Sequence, residues 1–473
     1  MERRPDTYYY KVYQDLVAQI YVGKYKKGDI LPSLKEFCDI YGVGRNTVRS
    51  ALQLLQEHGY IKMEPRKQAV ISFDCDDLQY QKSYLAEALG RKTAIFQVYD
   101  FMEFAMPAIF VYILKGLPRS LRTEIAELIV FFSENLSVKT EAKMQAGVMQ
   151  LYRLIIALPN NQLLEKLFFA IFSYIQIPVI NSEWEEIKLR AIAPLFKTTF
   201  KKFQKYIVAQ EYDKLGQQVS IFCQTTKKRV DRYLSKFSTK IKAVEMDERA
   251  RFTWTITGKP EYVQLASALV FKIGRGDYKN GDILPSYVQL AEENGVSEIT
   301  SRNAIEVLGK LKIVTTINGV GTKVEGFSQT GRDVFLKDME MRGLILSYIE
   351  ALQLLIILCR PVLDHGEEMM TEKERDHLKS QFIDQGPACV LKTLLPYAGP
   401  VAVSVFECLK NELAWGYLLI IKKNQEKEER ALKILTRPEV SIAELIYEDC
   451  QQYFDQARQI ARKNSIDIPL SIL

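Results

Sequence analysis

The chain has 473 residues, 47% of them hydrophobic and 26% charged, with a net charge of +6. At ~150 residues per domain, that length calls for about three to four folded units rather than one core. The positive excess is too mild to prove a polyanionic partner, so its distribution along the chain is more informative than its sum. Seven scattered cysteines lack any C-x-x-C pair, and there are three histidines, His58, His365 and His377. These counts argue against a disulfide framework, a zinc knuckle and a His-rich catalytic centre, and they fit a reduced, cytoplasmic protein.

In chain order, MERRPDTYYY opens the sequence without the apolar core of a signal peptide. Val12, Leu16 and Ile20 recur at helical spacing and predict a first helix. Gly28-Asp29 predicts a tight turn, where glycine accepts a positive φ. Ser33 followed by Glu36 reads as a capping box that opens a second helix at about 34–40. YGVG, 41–44, interrupts the chain. A third helix is expected at about 45–57, with Val48, Ala51, Leu52 and Leu55 facing inward. YIKME and AVISF then predict two short strands around a tip at Pro65, Arg66 and Lys67. Helix, helix, turn, helix and two-stranded wing is the order of a winged helix-turn-helix. A compact helical module with a wing can also dock proteins, so the pattern alone leaves both roles open.

From about 76 to 250, segments such as AEALGRKTAIFQVYDFMEFA and NQLLEKLFFAIFSYI have helical spacing, and strand alternation is scarce. FAMPAIFVYILKG, and later LILSYIEALQLLIILC with its Glu350, fall short of about 18 uncharged residues and read as buried helices, not membrane spans. Phe101, Phe104, Phe110, Tyr112, Phe131 and Phe132 suit a plain core or an apolar effector pocket. The polar stretch 238–258 reads as an exposed linker.

The opening then returns. YKKGDILPS at 25–33 reappears as YKNGDILPS at 278–286, eight of nine residues identical at an offset of 253. The likeness extends both ways over roughly 65–70 residues. Ser286 and Gln289 repeat the capping box, and IVTTI and TKV flank NGVG, a strong hairpin signal. Residues 327–473 are again helical in pattern.

The run GDILPS, then GVGRNTVRSAL, then a Leu-rich helix end and GY, resembles the GntR family of bacterial transcription regulators. Their DNA-binding domain typically has G-x-x-LPS or LPA-x-R-x-LA, then VSR-x-TVR-x-AL, then a wing with G-x-G-T. Both copies match, so the resemblance covers about 140 of the 473 residues directly. It implies a mainly α fold: winged helix-turn-helix domains (three helices plus a two-stranded wing) at 1–75 and 251–326. Each is followed by an all-helical bundle domain, at 76–250 and 327–473, the whole an internal duplication. It further implies a double-stranded DNA operator as partner, a homodimer or an intramolecular pseudo-dimer, and repression or activation of transcription.

The family places the third helix in the major groove and the wing along the minor groove. Carried over by position, the first copy supplies Lys35, Arg45, Asn46, Thr47 and Arg49, with Ser50 beside them and Arg66 and Lys67 at the wing tip. Arg45 and Arg49 are four apart and share one helix face, away from the apolar stripe. Arginine can fork onto guanine O6 and N7, asparagine can pair with adenine, and hydroxyls reach phosphates. The bland alternative is that the two arginines only solvate the helix.

The second copy departs from this set. Glu298 stands at the Arg45 position, Ile299 at Asn46 and Val288 at Lys35. Secondary DNA contacts are expected from Ser286, Thr300, Arg302, Asn318 and Gly319, with Glu298 and Arg302 placed to pair at i,i+4. Residues 1–75 hold 12 basic against 9 acidic side chains, and residues 255–326 hold 8 against 8. The first copy is therefore the expected sequence reader and the second a weakened accessory or an assembly module.

In the commonest GntR subfamily the helical partner binds a small carboxylate at a metal. LYRLIIALPNNQLL, 151–164, resembles part of that bundle, with Leu151, Asn161 and Leu164 in register. Tyr152 and Val148, however, replace its ligands, and Val390 fills the corresponding position of the second region. No metal and no cofactor are therefore expected, and a small-molecule effector remains an option for either helical domain. An enzyme explains little: the sequence lacks a nucleophile elbow, a G-x-x-x-x-G-K-[ST] loop and an H-E-x-x-H pair.

Overall fold

The computed structural model describes residues 8–21, 25–41, 43–57, 59–65, 67–73, 78–135, 151–177, 183–243, 251–254, 256, 259–385, 388–420 and 440–466. Along the chain it divides into two compact units near residue 254. The fold is mainly helical, with one two-stranded antiparallel sheet in each unit.

The first unit opens with α1 (Tyr8–Tyr21), α2 (Leu34–Tyr41) and α3 (Arg45–Glu57). Val12, Leu16 and Ile20 of α1 and Val48, Ala51, Leu52 and Leu55 of α3 are all buried, as their spacing predicts. The wing pairs β1 (Ile61–Lys62) with β2 (Val70–Ile71), and Tyr60 packs beneath it against Tyr13 and Phe73.

The repeated GDIL turn has a role that sequence did not suggest: it is the third rung of the wing. Gly28 N–H donates to the Ile71 carbonyl at 2.9 Å and Leu31 N–H to that of Ala69 at 2.8 Å, with Ile30 bridging Val70. Gly28 sits at φ +91°, where only glycine is free of strain. The second copy reproduces this through Gly281, φ +96°, whose N–H reaches the Val324 carbonyl at 2.8 Å, and through Leu284 to Thr322 at 2.8 Å. The turn is written twice because each wing needs it as a sheet edge.

The rest of the first unit is α4 (Leu78–Gly90), α5 (Lys92–Gly116), α6 (Arg119–Asn135), a short helical stretch at 151–157, α7 (Gln162–Tyr174), α8 (Glu183–Ala209) and α9 (Tyr212–Ser238). Helix α5 lies along α9, α6 along α8, and α1 reaches α7. Asn161 is buried because it N-caps α7, accepting from Leu164 N–H at 2.9 Å. Within the stretch expected to be an exposed linker, Phe252, Trp254 and Ile256 are buried, and Phe252 meets Tyr174 edge-on. The flanking charges hid an alternation of apolar side chains that the fold buries. Residues 244–250 of that stretch, and Val148, lie outside the described residues.

The second unit repeats the plan: α10 (Glu261–Arg275), α11 (Tyr287–Asn294), α12 (Glu298–Lys310), β3 (Val314–Ile317) and β4 (Gly321–Val324). Then follow α13 (Gln329–Lys337), α14 (Arg342–Glu368), α15 (Glu372–Gln385), α16 (Ala388–Thr393), α17 (Pro400–Leu413), α18 (Gly416–Leu419) and α19 (Ile442–Lys463). Helix α14 packs on α19 and α17, while α10 of the winged helix packs on α17 and α18. The contact is close: a Cβ on Gly274 would lie 2.3 Å from the Tyr417 ring. Phe327 stacks on Tyr417 and Phe335 on Trp415, and Lys259 forms a shielded ion pair with Glu412. By length and composition α5 and α14 could each cross a membrane, yet 56% and 72% of their most apolar windows are buried in the fold.

Candidate nucleic-acid interface

The first copy builds its polar face from the N-terminal end of α3. Gly44 leads directly into Arg45, and the apolar stripe from Val48 to Leu55 fixes which side of the helix turns inward. Arg45, Asn46, Arg49 and Ser50 are exposed and Thr47 is half-buried. Neither arginine forms an ion pair with another described residue, so both guanidinium groups are available for an external acceptor.

Lys35 is exposed on the first turn of α2, whose start is fixed by the capping box: Ser33 N–H donates to Glu36 at 2.7 Å and Glu36 N–H to Ser33 Oγ at 3.3 Å. Hydrogen bonding from Ser33 to the Glu36 carboxyl, from its side chain first and its backbone N–H second, holds that carboxyl below the usual range.

At the wing, Lys67 is exposed but engaged, 2.7 Å from Glu64, and Lys62 joins the same carboxylate at 3.3 Å. The hydrogen bond from Lys67, then that from Lys62, pulls the Glu64 carboxyl below its usual range. Sequence reasoning overlooked Lys62. Its signal was a lysine ending the short strand, two residues before a glutamate. Arg66 lies outside the described residues.

The second copy keeps the frame and changes the surface. Ser286 spends its hydroxyl on the α11 capping box with Gln289, and Thr300 Oγ1 is 2.8 Å from the Ser297 hydroxyl that caps α12. Asn318 and Gly319 are exposed at the wing tip, with Gly319 at φ +77°. The expected Glu298–Arg302 pair does not form. Arg302 instead lies over the Tyr287 ring, 5.2 Å from its centroid, because the neighbouring helix α11 offers a flat aromatic face to the guanidinium.

In the first helical region, Tyr152 is buried among the rings of Phe110, Phe168, Phe172 and Phe222, at centroid distances of 5.2 to 6.5 Å. Burial pushes its hydroxyl well above the ordinary tyrosine range. Phe101, Phe110 and Tyr112 sit within or beside the same helical core, whereas Phe131 is 61% exposed and Phe132 meets it edge-on. Val390 in the second region is buried as well.

Fold and surface together define a protein with a duplicated winged helix-turn-helix, one copy exposing Arg45, Asn46 and Arg49 on its third helix and the other Glu298, Ile299 and Arg302. Both copies match the family described as "Bacterial regulatory proteins, gntR family", over residues 8–71 and 261–324. The HTH-type transcriptional regulator TreR of Bacillus subtilis (strain 168) is 36% identical over 88 residues, 17% of this chain and 37% of that protein. The mannosyl-D-glycerate transport/metabolism system repressor MngR of Escherichia coli (strain K12) is 42% identical over 67 residues, 14% of this chain and 28% of that protein. The chain thus spans about a third of the length of these relatives. A solved structure, Streptococcus agalactiae GntR, is 14% identical with a TM-score of 0.21, covering 46% of this chain and 99% of that one.

Proposed function

We propose that the protein is a sequence-specific, DNA-binding transcriptional regulator of the GntR type, in which the first winged helix reads the major groove. Arg45, Asn46 and Arg49 contact base edges, and Lys35, Thr47, Ser50 and the wing lysines contact phosphates. In this reading the domains divide at 1–75, 76–250, 251–326 and 327–473, the operator is double-stranded DNA, and the role is regulatory rather than enzymatic. The helical regions serve dimerisation or effector sensing. The observation that supports it most is the pair of exposed, unpaired guanidinium groups on α3.

Selection of bound fragments from genomic DNA, followed by footprinting, supplies the operator. Anisotropy titration on that duplex then tests the site. Arg45→Ala with Arg49→Ala is expected to cost roughly 2–6 kcal/mol, about 1–3 for each lost bidentate contact, and to abolish specific binding. Arg302→Ala changes it only modestly. Binding by the wild type should also weaken steeply as salt rises, through counterion release. The reverse order of the arginine variants, or no duplex binding even at low salt, defeats the reading.

A further inference from the structure

We propose that the face of the second winged helix corresponding to the DNA-reading face of the first is an interface between two copies of this chain, closed by a two-fold axis. The idea deepens the reading above and rests on it only for the role of the first copy.

The 253-residue offset holds through the whole domain, since Ile61 pairs with Ile71 in one wing and Val314 with Val324 in the other. It pairs Lys35 with Val288, Asn46 with Ile299, Glu64 with Ile317 and Lys67 with Val320. In the second copy these four aliphatic side chains are 46%, 71%, 40% and 61% exposed. Scattered exposed aliphatics are ordinary, but three of these stand where the first copy has an expected DNA contact, Lys35, Asn46 and Lys67, and the fourth where Glu64 engages Lys67 in the wing. Ile283 extends it: it is 46% exposed and lies against Gly321 of the wing, where a Cβ would be 3.0 Å away. Aliphatic groups and the Glu298 carboxylate cannot neutralise phosphates, so the face no longer suits a duplex.

The charges select the occupant. Glu298 and Arg302 lie one turn apart on α12, both exposed, and do not pair with each other. Such a surface complements itself when reversed. A two-fold axis crossing α12 between them sets each Glu298 against the partner's Arg302, with the two Ile299 side chains alongside. This is the isologous arrangement in which residue i meets j and j meets i. A partner of one charge sign would satisfy one of the two groups and oppose the other. The consequence for function is direct: pairing through the second copies brings two first copies into one assembly, which suits a symmetric operator.

Sedimentation equilibrium of the full chain over a range of concentrations tests this, with helical content and binding to a single half-site duplex followed in parallel. The wild type is expected to dimerise reversibly. Glu298→Arg alone and Arg302→Glu alone each weaken the dimer about tenfold or more, because like charges then meet twice across the axis. The double reversal E298R/R302E restores it, and Ile299→Asp abolishes it. Half-site binding by the first copy is unchanged in Glu298→Arg and Ile299→Asp. The proposal falls if the wild type stays monomeric, if the single reversals leave the dimer intact, or if the double reversal is no better than either single. It also falls if Ile299→Asp loses half-site binding at unchanged mass, which would make the face a DNA contact. Failure of the Arg45 and Arg49 test would leave every one of these mass measurements standing, so the two ideas fail separately.

Discussion

The two winged helices of this chain have one skeleton and two surfaces. Both hang a glycine-led turn on the edge of a wing, both open their second helix with a capping box, and both bury the same stripe of the third helix. Buried positions differ as well, Val48 against Ser301 and Tyr60 against Ile313, but the changes that alter what the surface can touch are outward ones. Arg45 and Asn46 stand in the first copy where Glu298 and Ile299 stand in the second. The buried positions answer to packing, and a change there is felt at once in stability. The outward positions answer only to whatever touches them. A duplicated module can therefore keep its fold while its exposed face is rewritten.

Attachment to the helical partner sharpens the contrast, and here the largest effect is expected. In the second unit Lys259 and Glu412 pair with side chains only 16% and 6% exposed. Glu412→Ala leaves the ammonium shielded and uncompensated, which costs about 3–5 kcal/mol. Denaturant unfolding of the full chain should show a transition moved to lower denaturant, while half-site DNA binding by the first copy is retained. Loss of that binding would mean that the two copies do not have separate duties.

A graft tests the comparison from the other side. Val288→Lys, Glu298→Arg and Ile299→Asn together give the second copy the outward residues of the first. Placed in a chain already carrying Arg45→Ala and Arg49→Ala, they are expected to recover about 1–3 kcal/mol of duplex affinity. The salt slope should steepen by about 0.9 for each phosphate newly contacted. If nothing is recovered, the difference between the copies lies in the placement of the domain rather than its surface.

Much of this was legible in the sequence, because helices and capping boxes are local. The span of α3, its inner stripe and both capping boxes follow from spacings of three and four residues. The resemblance supplied the roles proposed for Arg45 and Arg49, which spacing alone could not. What escaped reading depended on distance. The GDIL turn becomes a sheet edge only when it meets a strand some forty residues later, and Lys259 meets Glu412 across 153 residues. Arg302 was expected to pair along its own helix with Glu298, yet it rests on Tyr287 of the preceding one. Local rules list the partners a side chain could have, and packing chooses among them.

The smallest difference between the copies lies in the capping boxes themselves. Ser33→Ala and Ser286→Ala should each cost about 1 kcal/mol, since each hydroxyl accepts a helix N–H. The return bond differs: Glu36 is a carboxylate and Gln289 is neutral. The bonds from Ser33 depress the Glu36 carboxyl below its ordinary value of 4.5. A depressed carboxylate contributes stability that is fully present above its unfolded-state value and is lost as the pH falls through the folded one. The wild-type first copy should therefore lose a little stability on acidification below about 4.5, and Glu36→Gln should remove that dependence. Gln289→Glu should confer it on the second copy. Amide exchange in the first turns of α2 and α11, followed from neutral pH into that range, would register both effects. Equal pH dependence in the two turns would show that the charge at the third helical position is immaterial, and that the capping boxes are interchangeable in every respect the sequence distinguishes.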